Sequence, residues 1–155
     1  MDEQSYLRQA EACGRTLYRV ARSILWNDAD CADAVQQAVF KGWVHRGSLR
    51  DPDRFRPWLT RILVNECRDI QRRAARQKKL VNAAGEQLRT EPPPPDPGLE
   101  EAVRALPEDY RLPVLLHYME GYPVRDIAGI LGIPERRVSE RLYRARRKLE
   151  EALKL

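Results

Sequence analysis

The sequence predicts an all-α protein: two small helical domains joined by a flexible Pro-rich linker, the second domain carrying a helix-turn-helix. Three observations lead there. Apolar residues recur at intervals of three and four through residues 5–25 and again through 138–149, the period of a helix with one buried face. The stretch Glu91-Pro-Pro-Pro-Pro-Asp-Pro-Gly98 cannot lie inside a helix or a sheet, because each Pro lacks an N–H and locks its φ. Finally, Gly132-Ile133-Pro134 separates two apolar-periodic segments. Gly tolerates the positive φ that closes one helix, and Pro suits the first turn of the next. The boundaries expected are 1–78, 79–98 and 99–155.

Composition bounds the function. The 155 residues carry a net charge of +5 with 33% charged side chains, a balance that points to an anionic partner, nucleic acid or membrane surface. No apolar run approaches the roughly 18 residues that span a bilayer, and no charged-then-apolar leader opens the chain. No membrane insertion and a cytoplasmic location are therefore expected. Cys13, Cys31 and Cys67 are odd in number, widely spaced and without a CxxC pair, so neither a disulfide framework nor a zinc site is indicated. Cys67 falls near an apolar helix face, where small buried thiols are common. His45 and His117 are too scattered for a metal site. With no Gly-rich phosphate loop either, catalysis has little to build on, and neither metal nor cofactor is expected.

The first helix is expected over 5–25, with Ser5 as N-cap and Leu7, Ala10, Gly14, Leu17, Ala21 and Ile24 inward. Asn27-Asp28 caps a second helix to about Val44, with Val35, Val39 and Trp43 toward the core. Its other face carries Asp30, Asp33, Gln36 and Gln37, either simply solvated or a surface for a protein partner. Residues 45–57 form a loop rich in Arg, with Arg50, Arg54, Phe55 and Arg56. Arg and an aromatic in one loop suit backbone contact and base stacking on single-stranded nucleic acid; the alternative is a solvated loop with Phe55 tucked into the core.

Pro57 sits well at the start of a long helix to about Lys79, with Trp58, Leu59, Ile62, Leu63 and Ile70 inward. Arg61, Asn65, Arg68 and Arg72 recur at four, three and four, a polar stripe suited to phosphates or to solvent. The Pro-rich linker follows. The 23 residues from 76 to 98, fully extended, reach about 75 Å, enough for two domains to sit on DNA segments two turns, roughly 70 Å, apart.

In the second domain, Leu99, Val103 and Leu106 form an inward face, and Pro107 starts a helix continued by Val114, Leu115 and Tyr118. Pro113 inside it is expected to kink it. The helix-turn-helix then pairs Ile127, Ala128 and Leu131 with a second helix whose stripe is Val138, Leu142, Ala145 and Leu149. Small Ala128 permits close approach and Ile133 can fill the angle. The outer faces hold Arg136, Arg137, Arg141, Arg144, Arg146, Arg147 and Lys148, more cations than solubility needs, on the helix that lies in a DNA major groove in this motif.

Two separated segments together resemble the extracytoplasmic-function sigma factors of bacterial RNA polymerase. Asp30 to Gln37, Trp43, and Phe55 through Arg73 resemble sigma region 2; Leu106-Pro107, Arg111, Gly121, Asp126 to Ala128, and Arg141 through Arg146 resemble region 4. The resemblance implies that Asp30, Asp33, Gln36 and Gln37 dock on the clamp helices of the polymerase β′ subunit, with the β subunit also contacted. It implies that Arg50, Arg54, Phe55, Arg56, Trp58, Arg61, Asn65, Arg68 and Arg72 capture and melt the minus-ten element. Arg136, Arg137, Ser139, Glu140, Arg141 and Arg144 would read the minus-thirty-five element. The partners implied are core RNA polymerase, promoter DNA both duplex and melted, and an anti-sigma factor able to hold the chain at the inner membrane face.

The chain departs from the family pattern in places. A Glu common after the region 2 Gln is Gln37, and a usual Phe is Val39, with Phe40 next to it. Arg137, Ser139 and Glu140 replace a frequent Thr, Lys and Ser, so the promoter sequence read need not be the family's. Arg137 suits guanine and Glu140 suits cytosine N4. The rival reading is a stand-alone helix-turn-helix repressor or activator with a dimerising N-terminal domain. A nucleic-acid enzyme is a third reading, but it lacks paired carboxylates or metal ligands on one face.

Overall fold

In a computed structural model describing residues 1–81 and 98–154, every regular element among the described residues is helical. The first half holds α1 (Glu3–Ala12), α2 (Gly14–Ile24), α3 (Asp28–Val44) and α4 (Phe55–Val81), with short 3₁₀ turns at Arg46–Ser48 and Pro52–Arg54 before α4. The second half holds α5 (Leu99–Ala105), α6 (Glu108–Val114), a π turn (Leu115–Met119), α7 (Val124–Leu131) and α8 (Glu135–Leu153). Of the linker expected at 79–98, positions 79–81 are the last residues of α4, and residues 82–97 lie outside the described residues. No helix among the described residues is long and apolar enough to cross a membrane.

The single helix expected over 5–25 is two. At Cys13 the backbone flattens to φ −87°, ψ −5°, and its N–H is shared between the Gln9 and Ala10 carbonyls, each 3.1 Å away. Gly14, a poor helix interior residue, follows and opens α2. The N-cap is Asp2 rather than Ser5: Asp2 Oδ1 accepts from the Ser5 N–H at 2.8 Å, so α1 starts two residues early. Asn27 caps α3 as its side chain invites, accepting from the Asp30 N–H at 3.1 Å.

The core face of α3 is made of small residues. Cys31, Ala34, Ala38 and Gly42 are buried, while Val35, Val39 and Trp43 pack half-buried along its flanks. Close approach is the reason. A Cβ on Gly42 would stand 2.3 Å from the Tyr6 hydroxyl oxygen and 3.0 Å from Leu59 Cδ1. Tyr6 itself is buried and donates to the Val39 carbonyl at 2.5 Å. Helix α4 then covers this layer with Leu59, Leu63, Val64 and Cys67, all fully buried. Pro57 lies inside its first turn, where the missing N–H has no intrahelical acceptor.

In the second half two expected inward residues face outward. Leu99, the first residue of α5, is exposed, and Ala102 one turn later is buried instead. Tyr118 is exposed for a different reason. Buried Pro113 supplies no N–H to the turn before it, and the chain rewinds directly afterwards as a π turn. The wider turn shifts which side chains point inward: Tyr118 and Met119 come out, and Glu120 goes in.

The two halves pack on each other. Helices α2 and α4 meet α6, the π turn and α7, and one cluster of buried apolar side chains runs from Tyr6 to Ala145 across both. The halves therefore pack together in this arrangement.

Candidate nucleic-acid and polymerase surfaces

The helix-turn-helix is built as its sequence reads. Gly132 closes α7 in the left-handed region (φ 68°, ψ 36°), and the Gly132 and Ile133 N–H groups both return to the Ala128 carbonyl, at 2.9 and 3.1 Å. That paired closure satisfies the end of α7 and fixes the angle to α8. Val138, Leu142 and Ala145 are buried, which forces the rest of α8 outward. Arg136, Arg137, Ser139, Glu140 and Arg144 are all exposed on this helix. Arg141 is half-buried, its guanidinium 3.8 Å from Asp109. The six candidates therefore share one basic helix, five of them free to meet a DNA groove.

On α3, Asp30, Asp33, Gln37 and Lys41 line a broad cleft against Glu66, Asp69, Arg72, Arg73 and Arg76 of α4. Lys41 pairs with the buried carboxylate of Glu66 across it. Gln36 is exposed outside this cleft, one turn from Phe40, which is 61% exposed, with Val44 a turn further at 55%. An exposed apolar pair beside a Gln/Asp face is what a docking helix surface requires. Phe40 was not among the docking residues expected from the sequence, and its solvent position adds it to the candidate surface.

The candidates on the loop and α4 divide. Arg50, Arg61 and Asn65 are exposed; Arg72 is exposed and pairs with Asp69. Trp58 is half-buried, its indole N–H donating to Ser48 Oγ at 3.1 Å. Phe55 is 4% exposed, its ring edge-on to Tyr6 at 5.6 Å and tilted against Trp58 at 5.7 Å. It is thus a core residue here, with no face open to a base, and the stacking expected of it has no place in this arrangement. Arg54, Arg56 and Arg68 all turn to the second half. Arg54 pairs with Asp126 of α7 at 2.6 Å, and Arg68 reaches the Leu131 carbonyl at 3.5 Å.

Arg56 joins a buried charge, Glu120. The Glu120 side chain has no solvent exposure. It accepts from Arg19 Nε at 2.5 Å, from Arg19 Nη2 at 3.0 Å, from Thr16 Oγ1 at 2.9 Å and from Arg56 Nη2 at 3.3 Å. Burial pushes this carboxyl upward, but the donors Arg19 and Thr16 and the charges of Arg19 and Arg56 outweigh it, so its pKa lies below the ordinary carboxylate range. The reciprocal contact is Arg111, buried, which donates to the Ser23 carbonyl in the last turn of α2 at 2.9 and 2.7 Å and to Leu106 at 2.7 Å. A cation at a helix C-terminus meets its unpaired carbonyls and its dipole. Neither role was legible in the sequence, because Ser23 lies 88 positions from Arg111, and Thr16, Arg19 and Arg56 lie 104, 101 and 64 from Glu120.

The three cysteines are buried and free; burial holds the Cys67 thiol up at about 12, which leaves it unreactive. Among the described residues no group of His, Cys, Asp and Glu side chains is placed to hold a metal ion.

Known proteins share this arrangement. Residues 10–77 match the family described as Sigma-70 region 2, and residues 98–149 match Sigma-70, region 4. A probable RNA polymerase sigma factor, RfaY of Xanthomonas campestris, is 32% identical over 93% of this chain, which spans 39% of that protein's length. The ECF RNA polymerase sigma factor SigM of Mycobacterium tuberculosis is 34% identical, over 90% of this chain and 72% of its own. In fold, the chain superposes with a TM-score of 0.81 on the sigma factor RpoE solved with the anti-sigma factor NepR from Bartonella quintana, covering 98% of both chains at 23% identity. With both region models in order along one chain, and a curated relative above 30% identity over most of its length, this chain belongs to the sigma-70 family of RNA polymerase sigma factors, in its extracytoplasmic-function group.

Proposed function

We propose that the chain directs promoter-specific transcription initiation as a non-catalytic subunit of RNA polymerase. In this reading it binds core polymerase through Asp30, Asp33, Gln36 and Gln37, with Phe40 beside them. It reads the minus-thirty-five element with Arg136, Arg137, Ser139, Glu140, Arg141 and Arg144. The minus-ten element is held and opened by Arg50, Arg54, Arg56, Trp58, Arg61, Asn65, Arg68 and Arg72. Phe55 supports that surface from the core. Melting needs no bond chemistry: unstacked bases are held by stacking and polar contact at a few kcal/mol each.

The observation that carries the reading is one chain holding an outward basic recognition helix and a second helical half with an acid-and-amide face. A repressor needs only the first. Residues 1–78 and 99–155 would act as the two working domains, and 79–98 as the tether that lets them occupy separate elements. The work is cytoplasmic, where polymerase and promoters are. An anti-sigma factor, the class of protein with which RpoE was solved, is the expected regulator. The test is in vitro transcription with core polymerase and mapping of start sites, paired with gel shifts on the same promoters. Core-dependent start sites support the reading; tight, specific duplex binding by the isolated chain, unchanged by core, sinks it in favour of the repressor.

A further inference from the structure

A groove of about 350 Å³ lies between the end of α2 and the helices α5 and α6, at the small end of the range for small-molecule sites. Its apolar wall is Tyr18, Trp26, Val103, Leu115 and Met119. Leu115 is buried, but Trp26 is 57% and Met119 58% exposed, so much of this wall stands in water. Single apolar side chains on a surface need no explanation, whereas several converging on one concave patch do.

Four cations share the groove, Arg19, Arg22, Arg104 and Arg111, against the acid Glu100. Arg19 and Arg22 are answered by Glu120 and Asp28. The other two are not. Arg104 is exposed, and its side chain makes no hydrogen bond or ion pair among the described residues. Arg111 is 8% exposed and has no carboxylate within ion-pair distance among the described residues. Glu108 acts on it only from further off and accepts from Gln71 at 2.8 Å. Burial therefore prevails and draws the Arg111 pKa below the ordinary arginine value. Its contacts are the Ser23, Leu106 and Arg104 carbonyls. A helix end carries about half a negative charge, so about half of the Arg111 charge stays unanswered, where a buried charge is normally paired. The guanidinium also lies 4.8 Å from the Trp26 ring centroid, which sets a cation and an exposed aromatic surface side by side.

We propose that this groove binds a small aromatic acid, its ring against Trp26 and Met119 and its carboxylate facing Arg104 and Arg111. Both parts of the ligand are needed. An anion without a ring meets only a solvated pair at Arg104 and gains little. A ring without the acid leaves the buried cation unanswered. Joined, they bring a full counter-charge to Arg111 beside an apolar wall, where a charge-assisted hydrogen bond is strongest. Ring stacking adds to the area buried, which favours an aromatic body over an aliphatic one. Such a ligand is separate from polymerase and promoter, and its binding does not depend on the function proposed above.

The test is titration calorimetry of the full chain with 2-naphthoate, followed in parallel by Trp fluorescence. Naphthalene-2-carboxamide, neutral and of the same shape, and acetate, an anion without a ring, are the comparison ligands. One 2-naphthoate per chain is expected to bind saturably, the amide about tenfold more weakly, and acetate not at all. Arg104→Gln should weaken 2-naphthoate by about three- to tenfold and leave the amide unchanged. Met119→Glu should abolish binding of the acid. Both positions are exposed, so both variants should keep the fold, which circular dichroism checks; should either fail to fold, the other carries the test. Arg111 is left in place because it also holds the end of α2. Arg8→Gln, an equal change of charge at an exposed position of α1, should bind like wild type. No saturable binding up to about 1 mM, equal affinity for acid and amide, or unchanged affinity in Arg104→Gln overturns the site. So does a concentration-dependent dimer, seen by sedimentation and dispersed by Met119→Glu, which would give the groove to a second copy of the chain.

Discussion

Thr60 on α4 and Tyr122 after the π turn join hydroxyls at 2.8 Å across 62 positions of sequence. Thr60 already donates its proton to the Arg56 carbonyl at 2.8 Å, so Tyr122 is the donor between them. Both hydroxyls are buried, and burial pushes the Tyr122 phenol up from its ordinary value, opposed by the Thr60 bond and the Arg56 charge. Tyr122→Phe removes one bond and should lower stability by about 1 kcal/mol. Thr60→Val strands the Tyr122 hydroxyl as well and should cost about 2 kcal/mol. Urea denaturation of both variants checks the order; an equal or reversed cost would mean that Tyr122 finds another acceptor.

Gly42 of α3 faces Tyr6 of α1 with no room for a side chain. Replacing Gly by Ala inside a helix normally gains up to about 1 kcal/mol. Here the new Cβ would meet the Tyr6 oxygen at 2.3 Å, and that ring is wedged between Trp43 and Phe55. Overpacking of this kind costs about 1–3 kcal/mol, so Gly42→Ala should lower the melting temperature. A rise in melting temperature would show that Tyr6 yields freely.

Acid should loosen the packing between the two halves. The Glu120 carboxyl is held below the ordinary carboxylate range, so the packed halves bind this proton less readily than the unfolded or separated chain. Its contribution is complete above the ordinary range and lost as pH falls through the depressed value. The guanidiniums of Arg19 and Arg56 face it, and burial raises the nearby Tyr122 phenol and Cys13 thiol, which stay neutral in acid. The radius of gyration of wild type should hold from neutral pH into the weakly acid range and rise below it. In Glu120→Gln that acid transition should be absent; its persistence would assign the effect to other carboxylates.

On the recognition helix, Arg137 is exposed and Arg141 half-buried. Arg137→Ala or Arg141→Ala should reduce transcription from native promoters by the equivalent of about 1–3 kcal/mol. Scrambling the upstream element should remove most of that difference. An equal loss on both templates would assign these arginines to phosphates instead of bases.

Asp33 and Gln36 lie exposed on α3, and neither side chain makes a hydrogen bond or ion pair among the described residues. Asp33→Ala with Gln36→Ala should weaken affinity for core polymerase while helicity and melting temperature stay at wild-type values. Full affinity in the double variant would remove the docking assignment from this face.

Much of the site could be read in advance because its signals are local. Gly132 followed by Pro134 marks a helix end and a helix start within three residues, and Val138, Leu142 and Ala145 then leave the arginines of α8 one direction to face. The same logic failed where packing chose between equal candidates. Periodicity offered Val35, Val39 and Trp43 as the core face of α3, yet the small stripe one residue earlier is buried, because Tyr6 and α4 come too close for larger side chains. Phe55 was legible as either a stacking ring or a core ring, and only its neighbours decide for the core.

By itself, then, the chain determined its helical class, the caps at Asn27 and Gly132, the basic recognition helix and the family. Each depends on residues within a few positions of one another, where propensity and spacing act directly. The tertiary structure decided that Pro113 leads into a π turn, that this turn sends Glu120 inward, and that Arg19, Thr16 and Arg56 receive it. Those partners lie about 60 to 100 positions away. A charge so far from its counter-ions carries no periodic signal, and its role exists only once two halves of the chain have met.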